Sequence, residues 1–198
     1  MSPLRALPDD DVTIAQRCTA GDRAAQRAFF QREKRHVHAT LYRVLGSNTE
    51  MDDLVQDAFI EIFRSMPSFR GEASLSTWLD RITVRVAYAY IARRRPETAR
   101  LSVIPEPAAS DPSAEARAMA REAARRLYAI LDRVEPRQRV AYTLHVIDGR
   151  PLAEVAAIME TTVVLAKVRA WRAARAVEKK ARHDPLLASF LGSEKEEG

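Results

Sequence analysis

The chain has 198 residues, a net charge of +5, 46% hydrophobic side chains and 30% charged ones, a balance typical of a globular rather than a disordered protein. Its one cysteine, Cys18, excludes an intrachain disulfide and a cysteine-based zinc site, and with four scattered histidines we expect no metal and no cofactor. No apolar run reaches the length of a membrane span, and residues 1–11 lack a secretory pattern, so we expect a cytoplasmic protein without membrane insertion.

Apolar residues recur at helical spacing along the sequence and strand-like alternation is nearly absent, so the predicted fold class is all-α. The predicted helices run from about Asp10 to Thr19, Asp22 to Leu45, Asn48 to Ser65, Leu75 to Arg94, Ser113 to Val134, Pro136 to Ile147, Leu152 to Met159 and Thr161 to Ala181. Asn48 and Ser74 suit N-caps, and Pro136 suits the first position of a helix.

Four prolines fall within residues 96–112, in a stretch rich in alanine, serine and acidic side chains. Because proline breaks helices, this stretch is interpreted as a linker between two helical domains, residues 10–95 and 113–183; an ordered loop within one domain is the alternative. Residues 125–183 carry 13 basic and 6 acidic side chains, a net charge of +7, which indicates a polyanionic partner. An acidic tail, residues 184–198, follows.

The third predicted helix combines acidic and apolar residues on the side away from its core stripe. That stripe consists of Met51, Leu54, Val55, Ala58, Ile62 and Met66. The opposite side has Asp53, Gln56, Asp57 and Ile60, with Asp52 and Phe63 at its edge. Apolar residues within an acidic patch are typical of a protein-docking surface, and a solvated face is the alternative.

The fourth predicted helix presents arginines beside an aromatic ring. Its core side is expected to contain Leu75, Trp78, Leu79, Ile82, Val86 and Tyr90. Its far side would present Thr77, Arg81, Val84 and Tyr88, with Arg85 adjacent and Arg93, Arg94 and Arg95 at the end. This pattern favours single-stranded nucleic acid, whose bases stack on rings and guanidinium planes; a solvated basic helix end is the alternative. The preceding loop either projects Phe69 and Arg70 or is a plain turn.

The last two predicted helices form a helix-turn-helix. On the second, Ala166, Ala170, Ala173 and Val177 form a narrow stripe that can lie close against the preceding helices. Lys167, Arg169, Arg172, Arg175, Lys179, Lys180 and Arg182 mostly point away from the stripe, as does Trp171. The pattern predicts a major-groove reader with phosphate contacts, against the alternative of a basic surface helix in a bundle.

Taken together in this order and spacing, the motifs resemble the extracytoplasmic-function group of the sigma-70 family, sigma factors reduced to domains 2 and 4. The resemblance covers residues 21–181. Its motifs are Asp53-Leu54-Val55-Gln56-Asp57-Ala58-Phe59, Phe69-Arg70-Gly71, Ser76-Thr77-Trp78-Leu79-Asp80-Arg81-Ile82, Glu135-Pro136-Arg137-Gln138-Arg139, Gly149 with Glu154-Val155-Ala156, and Lys167-Val168-Arg169.

The resemblance implies an alternative sigma factor that binds core RNA polymerase, directs promoter-specific initiation and is held inactive by an anti-sigma factor. The β′ coiled coil would bind Asp52, Asp53, Gln56, Asp57, Ile60 and Phe63, and the β flap would be a second polymerase contact. The −10 DNA would be opened and captured by Phe69, Arg70, Thr77, Trp78, Arg81, Arg85, Tyr88, Arg93 and Arg94. The −35 duplex would be read by Arg137, Arg139, Thr162, Lys167, Arg169, Trp171, Arg172 and Arg175.

Some positions depart from the family pattern and leave the promoter sequence open. They are Arg85 for asparagine, Ala89 for aspartate, Glu160 for the turn glycine, Leu165 for threonine and Ala174 for arginine. Since Glu160 disfavours a left-handed backbone, a differently shaped turn is one expectation.

The competing hypothesis is a stand-alone helix-turn-helix repressor or activator, which would not need the acidic face of the third helix. An enzyme is disfavoured because the sequence shows no phosphate loop, HExxH motif, nucleophile elbow or convincing pair of a histidine with a carboxylate. We therefore expect a protein that is not an enzyme.

Overall fold

The computed structural model describes residues 8–46, 50–93 and 114–188, and within these ranges all regular structure is helical, as predicted. The helices are α1 Pro8–Thr19, α2 Arg23–Leu45, α3 Met51–Ser65 with a 3-10 turn at Met66–Ser68, α4 Leu75–Arg93, α5 Ala114–Leu131, α6 Pro136–Tyr142 with a π turn at Thr143–Ile147, α7 Leu152–Ile158 and α8 Val163–Ala181. Asn48, Arg94, residues 96–112 and most of the acidic tail lie outside the described residues. None of the helices in these ranges is both long enough and apolar enough to span a membrane.

Side-chain caps explain several of the helix ends. The Ser74 hydroxyl accepts a hydrogen bond from the Thr77 N–H at 3.2 Å, and Pro136 begins α6, which confirms both expectations. The helix α3 begins at Met51, later than expected. The helix α2 ends at Gly46, whose φ of +70° is a conformation that glycine adopts without strain.

The helix predicted over residues 136–147 changes its winding half-way. Its last turn is a π turn, in which the Asp148 N–H donates to the Thr143 carbonyl at 2.9 Å, five residues back. The wider turn directs the segment that follows, with Asp148 and Arg150, towards α2 and α4.

The helix-turn-helix is present, and its turn keeps the left-handed residue despite the missing glycine. Glu160 has a φ of +49°, and the Thr161 N–H donates to the Ala156 carbonyl at 2.9 Å, which closes the end of α7. Thr162 then caps α8 by accepting from the Leu165 N–H at 3.2 Å. The expected change in the shape of this turn is therefore absent, and the backbone tolerates glutamate at a strained position.

One hydrophobic core runs through both halves of the described chain. In the first half it includes Phe29, Leu41, Ile62, Leu79 and Ile82, all fully buried. Side chains of α6, the π turn, α7 and α8 belong to the same cluster, namely Val140, Leu144, Val155, Ala156, Ile158 and Ala166. The halves are joined because α4 packs against α6 and α7, and α2 packs against the π turn.

Replacing Glu160 with glycine should stabilise the protein by about 1 kcal/mol, because glycine removes the Cβ that a left-handed φ crowds. The change would appear as a higher denaturant midpoint in chemical unfolding. Glu160→Ala is the matched control, since it removes the same carboxylate but keeps the Cβ. An equal gain in both variants would show that the charge, not the backbone, is what destabilises the turn.

Candidate functional site

The acidic face of α3 is exposed as predicted. Asp52, Asp53, Gln56 and Asp57 are exposed, and the Ile60 side chain between them is 54% exposed. Phe63 is half-buried at the edge, with its ring 6.0 Å from the ring of Phe29 and 6.1 Å from that of Phe59. The predicted core stripe is buried, and Phe59 joins it although the spacing had not assigned it there.

A surface groove of about 450 Å³ separates this face from α4. Its α3 wall includes Asp57, Ile60 and Glu61, and its α4 wall includes Arg85 and Arg93. One wall is therefore acidic and the other basic, and both arginines are exposed.

The loop before α4 does not project its aromatic side chain. Phe69 is 8% exposed, and its ring lies 5.2 Å from the ring of Trp78, which is itself half-buried. Of the two alternatives for this loop, Phe69 follows the plain turn, because Trp78 gives its ring a packing partner inside the fold. Arg70 is exposed beside it, and Thr77 is half-exposed on the first turn of α4.

The far side of α4 is covered rather than open. Val84 is 1% exposed, and the Arg81 Nε donates to the Ala157 carbonyl of α7 at 2.9 Å. The Tyr88 hydroxyl is buried without a hydrogen-bond partner, and burial raises the pKa of Tyr88 although Arg169 opposes this. The expectation of an exposed face was wrong because α6 and α7 pack against it.

The recognition helix α8 exposes most of the predicted cations. Lys167, Arg172 and Arg175 are exposed, and the Arg175 guanidinium lies 5.9 Å from the centroid of the Trp171 ring, which is 61% exposed. Arg169 is half-buried and donates to the Thr161 hydroxyl at 3.4 Å. The small residues of the stripe, Ala166, Ala170, Ala173 and Val177, are buried as predicted.

An apolar first turn of α8 was missed at the sequence level. Val163, Val164 and Leu165 are 48%, 73% and 41% exposed. The available signal was three consecutive apolar residues placed between the turn and the buried stripe, where a helix cannot bury all of them. Together these three side chains form an uncharged, apolar surface next to the basic face of α8.

Of the two arginines at the start of α6, Arg137 is exposed and Arg139 is buried. Arg139 is 2% exposed and forms an ion pair with Asp132. Its Nε and Nη2 donate to the carbonyls of Val44 and Leu45, at 2.9 and 3.0 Å, at the end of α2. The structure therefore does not leave Arg139 free to contact DNA.

A buried carboxylate that the sequence did not reveal lies at the centre of the molecule. The Asp80 side chain, 1% exposed, accepts hydrogen bonds from the Thr40 hydroxyl at 2.8 Å and from Arg150 Nη1 at 2.6 Å, and lies 3.0 Å from the Nε2 of His36. Burial would raise the pKa of Asp80, but these partners outweigh it and hold the pKa below its usual value. The expectation that no histidine pairs with a carboxylate was thus wrong, because the two residues are 44 positions apart in sequence.

Two family models match the chain: sigma-70 region 2 over residues 29–97 and sigma-70 region 4 over residues 124–177. The ECF RNA polymerase sigma-E factor of Escherichia coli strain K12 is 30% identical over 186 residues, which cover 89% of this chain and 96% of the relative. The chain belongs to the extracytoplasmic-function sigma factors of RNA polymerase. The Haemophilus influenzae sigma-E factor is 27% identical over 89% of this sigma factor and 97% of the relative.

Solved structures support the fold of this sigma factor. The structure of CnrH in complex with the cytosolic domain of CnrY has a TM-score of 0.61 at 20% identity, covering 88% of this chain and 98% of CnrH. The sigma factor RpoE in complex with the anti-sigma factor NepR, from Bartonella quintana, has a TM-score of 0.55 at 20% identity, with coverage of 80% and 97%. The protein is therefore an alternative sigma factor that directs transcription, and the hypothesis of a stand-alone repressor is wrong because region 2 is present.

Arg139→Ala should lower the free energy of unfolding by about 3 kcal/mol, because it leaves the half-buried Asp132 and two carbonyls without their donor. Arg137→Ala, two residues away and exposed, is the matched control and should leave stability unchanged. Urea unfolding followed by circular dichroism measures both. Equal stability of the two variants would contradict a structural role for Arg139.

Proposed function

We propose a division of labour between the two halves of this sigma factor. Residues 10–95 bind core polymerase and open the −10 DNA, residues 113–183 read the −35 duplex, residues 96–112 link them, and residues 184–198 form an acidic tail. The observation that carries the proposal is α8, whose small residues are buried against the helix bundle while its cations face solvent. Polymerase supplies the catalysis, in the cytoplasm where the template lies, and the sigma factor supplies binding free energy.

Core polymerase docks on the exposed face of α3. The support is the combination of carboxylates at Asp52, Asp53 and Asp57 with the exposed Ile60 and the half-buried Phe63. Such a surface suits a basic helical partner, because charges steer the approach while apolar residues are buried in the centre of the contact. The β′ coiled coil is the partner proposed for this face, and the β flap is proposed as a second contact on polymerase.

Region 4 holds the −35 duplex through α8 and the start of α6. Lys167, Arg172, Arg175 and Arg137 are exposed and suit phosphate oxygens, and Trp171 extends the same surface. Thr162 stands at the N-terminal end of α8, the end that enters the major groove in this motif. Arg139 is left out of this assignment because its guanidinium is committed to α2.

Single-stranded −10 DNA is held on α4 and the loop before it. Arg70, Arg85 and Arg93 are exposed and suit phosphates, and Thr77 is half-exposed beside them. Trp78, Arg81 and Tyr88 are suited to stacking and to phosphate contact, and the last two require that α6–α8 move away. Phe69 supports Trp78 from beneath rather than contacting a base.

An anti-sigma factor is proposed as the regulator. The two structural neighbours are described in complexes, CnrH with the cytosolic domain of CnrY and RpoE with the anti-sigma factor NepR. The exposed Ile60, beside a groove with one acidic and one basic wall, offers such a partner an apolar contact flanked by charges.

Run-off transcription with purified core polymerase on a promoter library tests the proposed function and selects the promoter. We expect transcripts that depend on this sigma factor. The promoters that yield them should share sequence elements spaced as −35 and −10. Absence of any sigma-dependent transcript would contradict the assignment of the surfaces to polymerase and promoter.

Replacing Asp53 and Gln56 together with alanine should weaken binding to core polymerase by roughly tenfold, or about 1.4 kcal/mol, while the fold is kept because both side chains are exposed. Fluorescence anisotropy of the labelled sigma factor measures the affinity. Asp11→Ala with Gln16→Ala on α1 removes the same two chemical groups elsewhere and should leave the affinity unchanged. Equal losses of affinity in the two double variants would contradict the assignment of α3 as the docking site.

The apolar first turn of α8 is proposed to read thymine methyl groups. Val164 is the most exposed of the three side chains there, and an apolar contact with the thymine methyl is a recognised form of base readout. Replacing thymine by uracil in the −35 half of the selected duplex should weaken binding about fourfold. This factor corresponds to the free energy of about 0.8 kcal/mol that burial of one methyl group contributes. Val164→Ala should lose this discrimination. Equal affinity of the native protein for both duplexes would contradict the assignment.

A further inference from the structure

The outward face of α8 carries more positive charge than the helix itself can neutralise. Its exposed cationic side chains include Lys167, Arg172, Arg175, Lys179 and Arg182. The one acidic residue of this helix is Glu178, which forms ion pairs with Arg175 and Arg182. Closely spaced charges of one sign attract polyanions, and this attraction acts on any anionic segment within reach. A DNA duplex is therefore not the only partner that this face can accept.

The chain that follows α8 is held beside the last turn of that helix. The Asp184 carboxylate forms an ion pair with Arg126 of α5 at 2.9 Å and accepts a hydrogen bond from the Leu187 N–H at 3.2 Å. The Leu187 side chain is 7% exposed and packs with Ala123 and Ala181. These contacts place residue 188 next to the basic end of α8, and the acidic tail continues from there.

We propose that residues 189–198 bind along the outward face of α8 and compete with the −35 duplex for its cations. These residues contain three glutamates, Glu194, Glu196 and Glu197, against one cation, Lys195. Their carboxylates take the places that phosphate groups of the duplex take when DNA is bound. The inference rests on the DNA-binding function proposed for α8, and it gives the acidic tail a regulatory role.

A surface groove connects the start of the tail with the cations of α8. Its volume is about 350 Å³, and it is lined by Arg175, Glu178, Lys179, Arg182 and His183. The groove lies at the carboxy end of α8, directly before Asp184 in the chain. It therefore offers an extended acidic segment a concave path and ion-pair partners along that path.

The tail is long enough to reach the cations that are assigned to DNA. An extended chain spans at most about 3.5 Å per residue, so Glu194 reaches about 20 Å from Ala188 and Glu197 about 30 Å. A helix rises by about 1.5 Å per residue, so Arg172 lies only about 15 Å along α8 from Arg182. The glutamates can thus pair with Arg175 and Arg172 without full extension of the tail.

These contacts hold the tail weakly enough for DNA to displace it. Ion pairs between exposed side chains contribute little individually, but a short tether keeps the effective concentration of the tail high. A duplex offers a denser row of phosphates and makes base contacts as well, so it displaces the tail. The tail therefore lowers the affinity of α8 for duplex DNA without abolishing binding.

Neutralising the tail should strengthen binding to the −35 duplex. With Glu194→Gln, Glu196→Gln and Glu197→Gln together in the full chain, the affinity at low salt should rise roughly fivefold, because the competing ion pairs are lost. The gain should disappear as salt is added, since salt screens exposed pairs. Fluorescence anisotropy of a labelled duplex that contains the −35 element of the selected promoter measures the affinity.

The matched control makes the same change in net charge within region 2. Glu50→Gln, Glu61→Gln and Glu72→Gln together should leave the affinity for this duplex unchanged. An equal gain in both triple variants, or no gain in the tail variant, would overturn the competition. Duplex binding that is insensitive to salt in all of these proteins would instead contradict the function proposed for α8, because phosphate contacts require that sensitivity.

A fluorescent label on the tail tests its position without DNA. Bimane attached at Ser193→Cys is quenched when it contacts a tryptophan, and Trp171 is 61% exposed on α8, while the native Cys18 is buried and escapes labelling. The labelled protein should be dimmer than the same protein with Trp171→Phe, and added −35 duplex should restore its fluorescence. Equal fluorescence of the two labelled proteins would overturn the proposed position of the tail. Quenching that persists in saturating duplex would overturn the competition.

Discussion

Asp80 is a carboxylate shielded from water, and its hydrogen-bond and ion-pair partners come from two different parts of the chain. His36 and Thr40 come from α2, but the third partner, Arg150, comes from the segment that precedes α7. Removing a charge from water is costly unless the charge is paired and hydrogen-bonded, so the interior of region 2 is best satisfied when region 4 is in place. This pairing, together with the apolar cluster around Leu144, Val155 and Ile158, holds α7 against α4.

Polar groups of the two halves also pair with one another at the end of α2. Tyr128 and Arg139 donate to carbonyl groups that have no partner within the helix and would otherwise bond to water. The apolar cluster shared by the two halves, in which Leu144, Val155 and Ile158 are buried, adds hydrophobic stabilisation to these polar contacts.

The local sequence pattern was sufficient to predict the helices and the surfaces that face water. The stripe of α3, the small-residue stripe of α8 and the caps at Ser74 and Pro136 all depend on neighbours within a few positions. The errors share another origin, since Val84 and Arg139 looked like surface residues on their own helices and are buried by a partner distant in sequence. The pairing of Asp80 with His36 and with Arg150 likewise cannot be predicted from periodicity, because packing between α2, α4 and the π turn brings these residues together. The sequence left the position of Phe69 open, and the contact with Trp78 that decides it depends on packing of the loop against α4.

The π turn at Thr143–Ile147 sets the register of everything that follows it. It contains one residue more per turn than an α-helix would, and each residue of a helix rotates the chain by about 100°. A deletion of one residue in this turn would restore regular winding, and Asp148 and Arg150 would then point to other sides of the bundle. Every side chain would keep its chemistry, but the ion pairs with Arg43 and Asp80 would be out of phase. The length of this segment therefore decides which side chains of α2 and α4 the charged residues after it can reach.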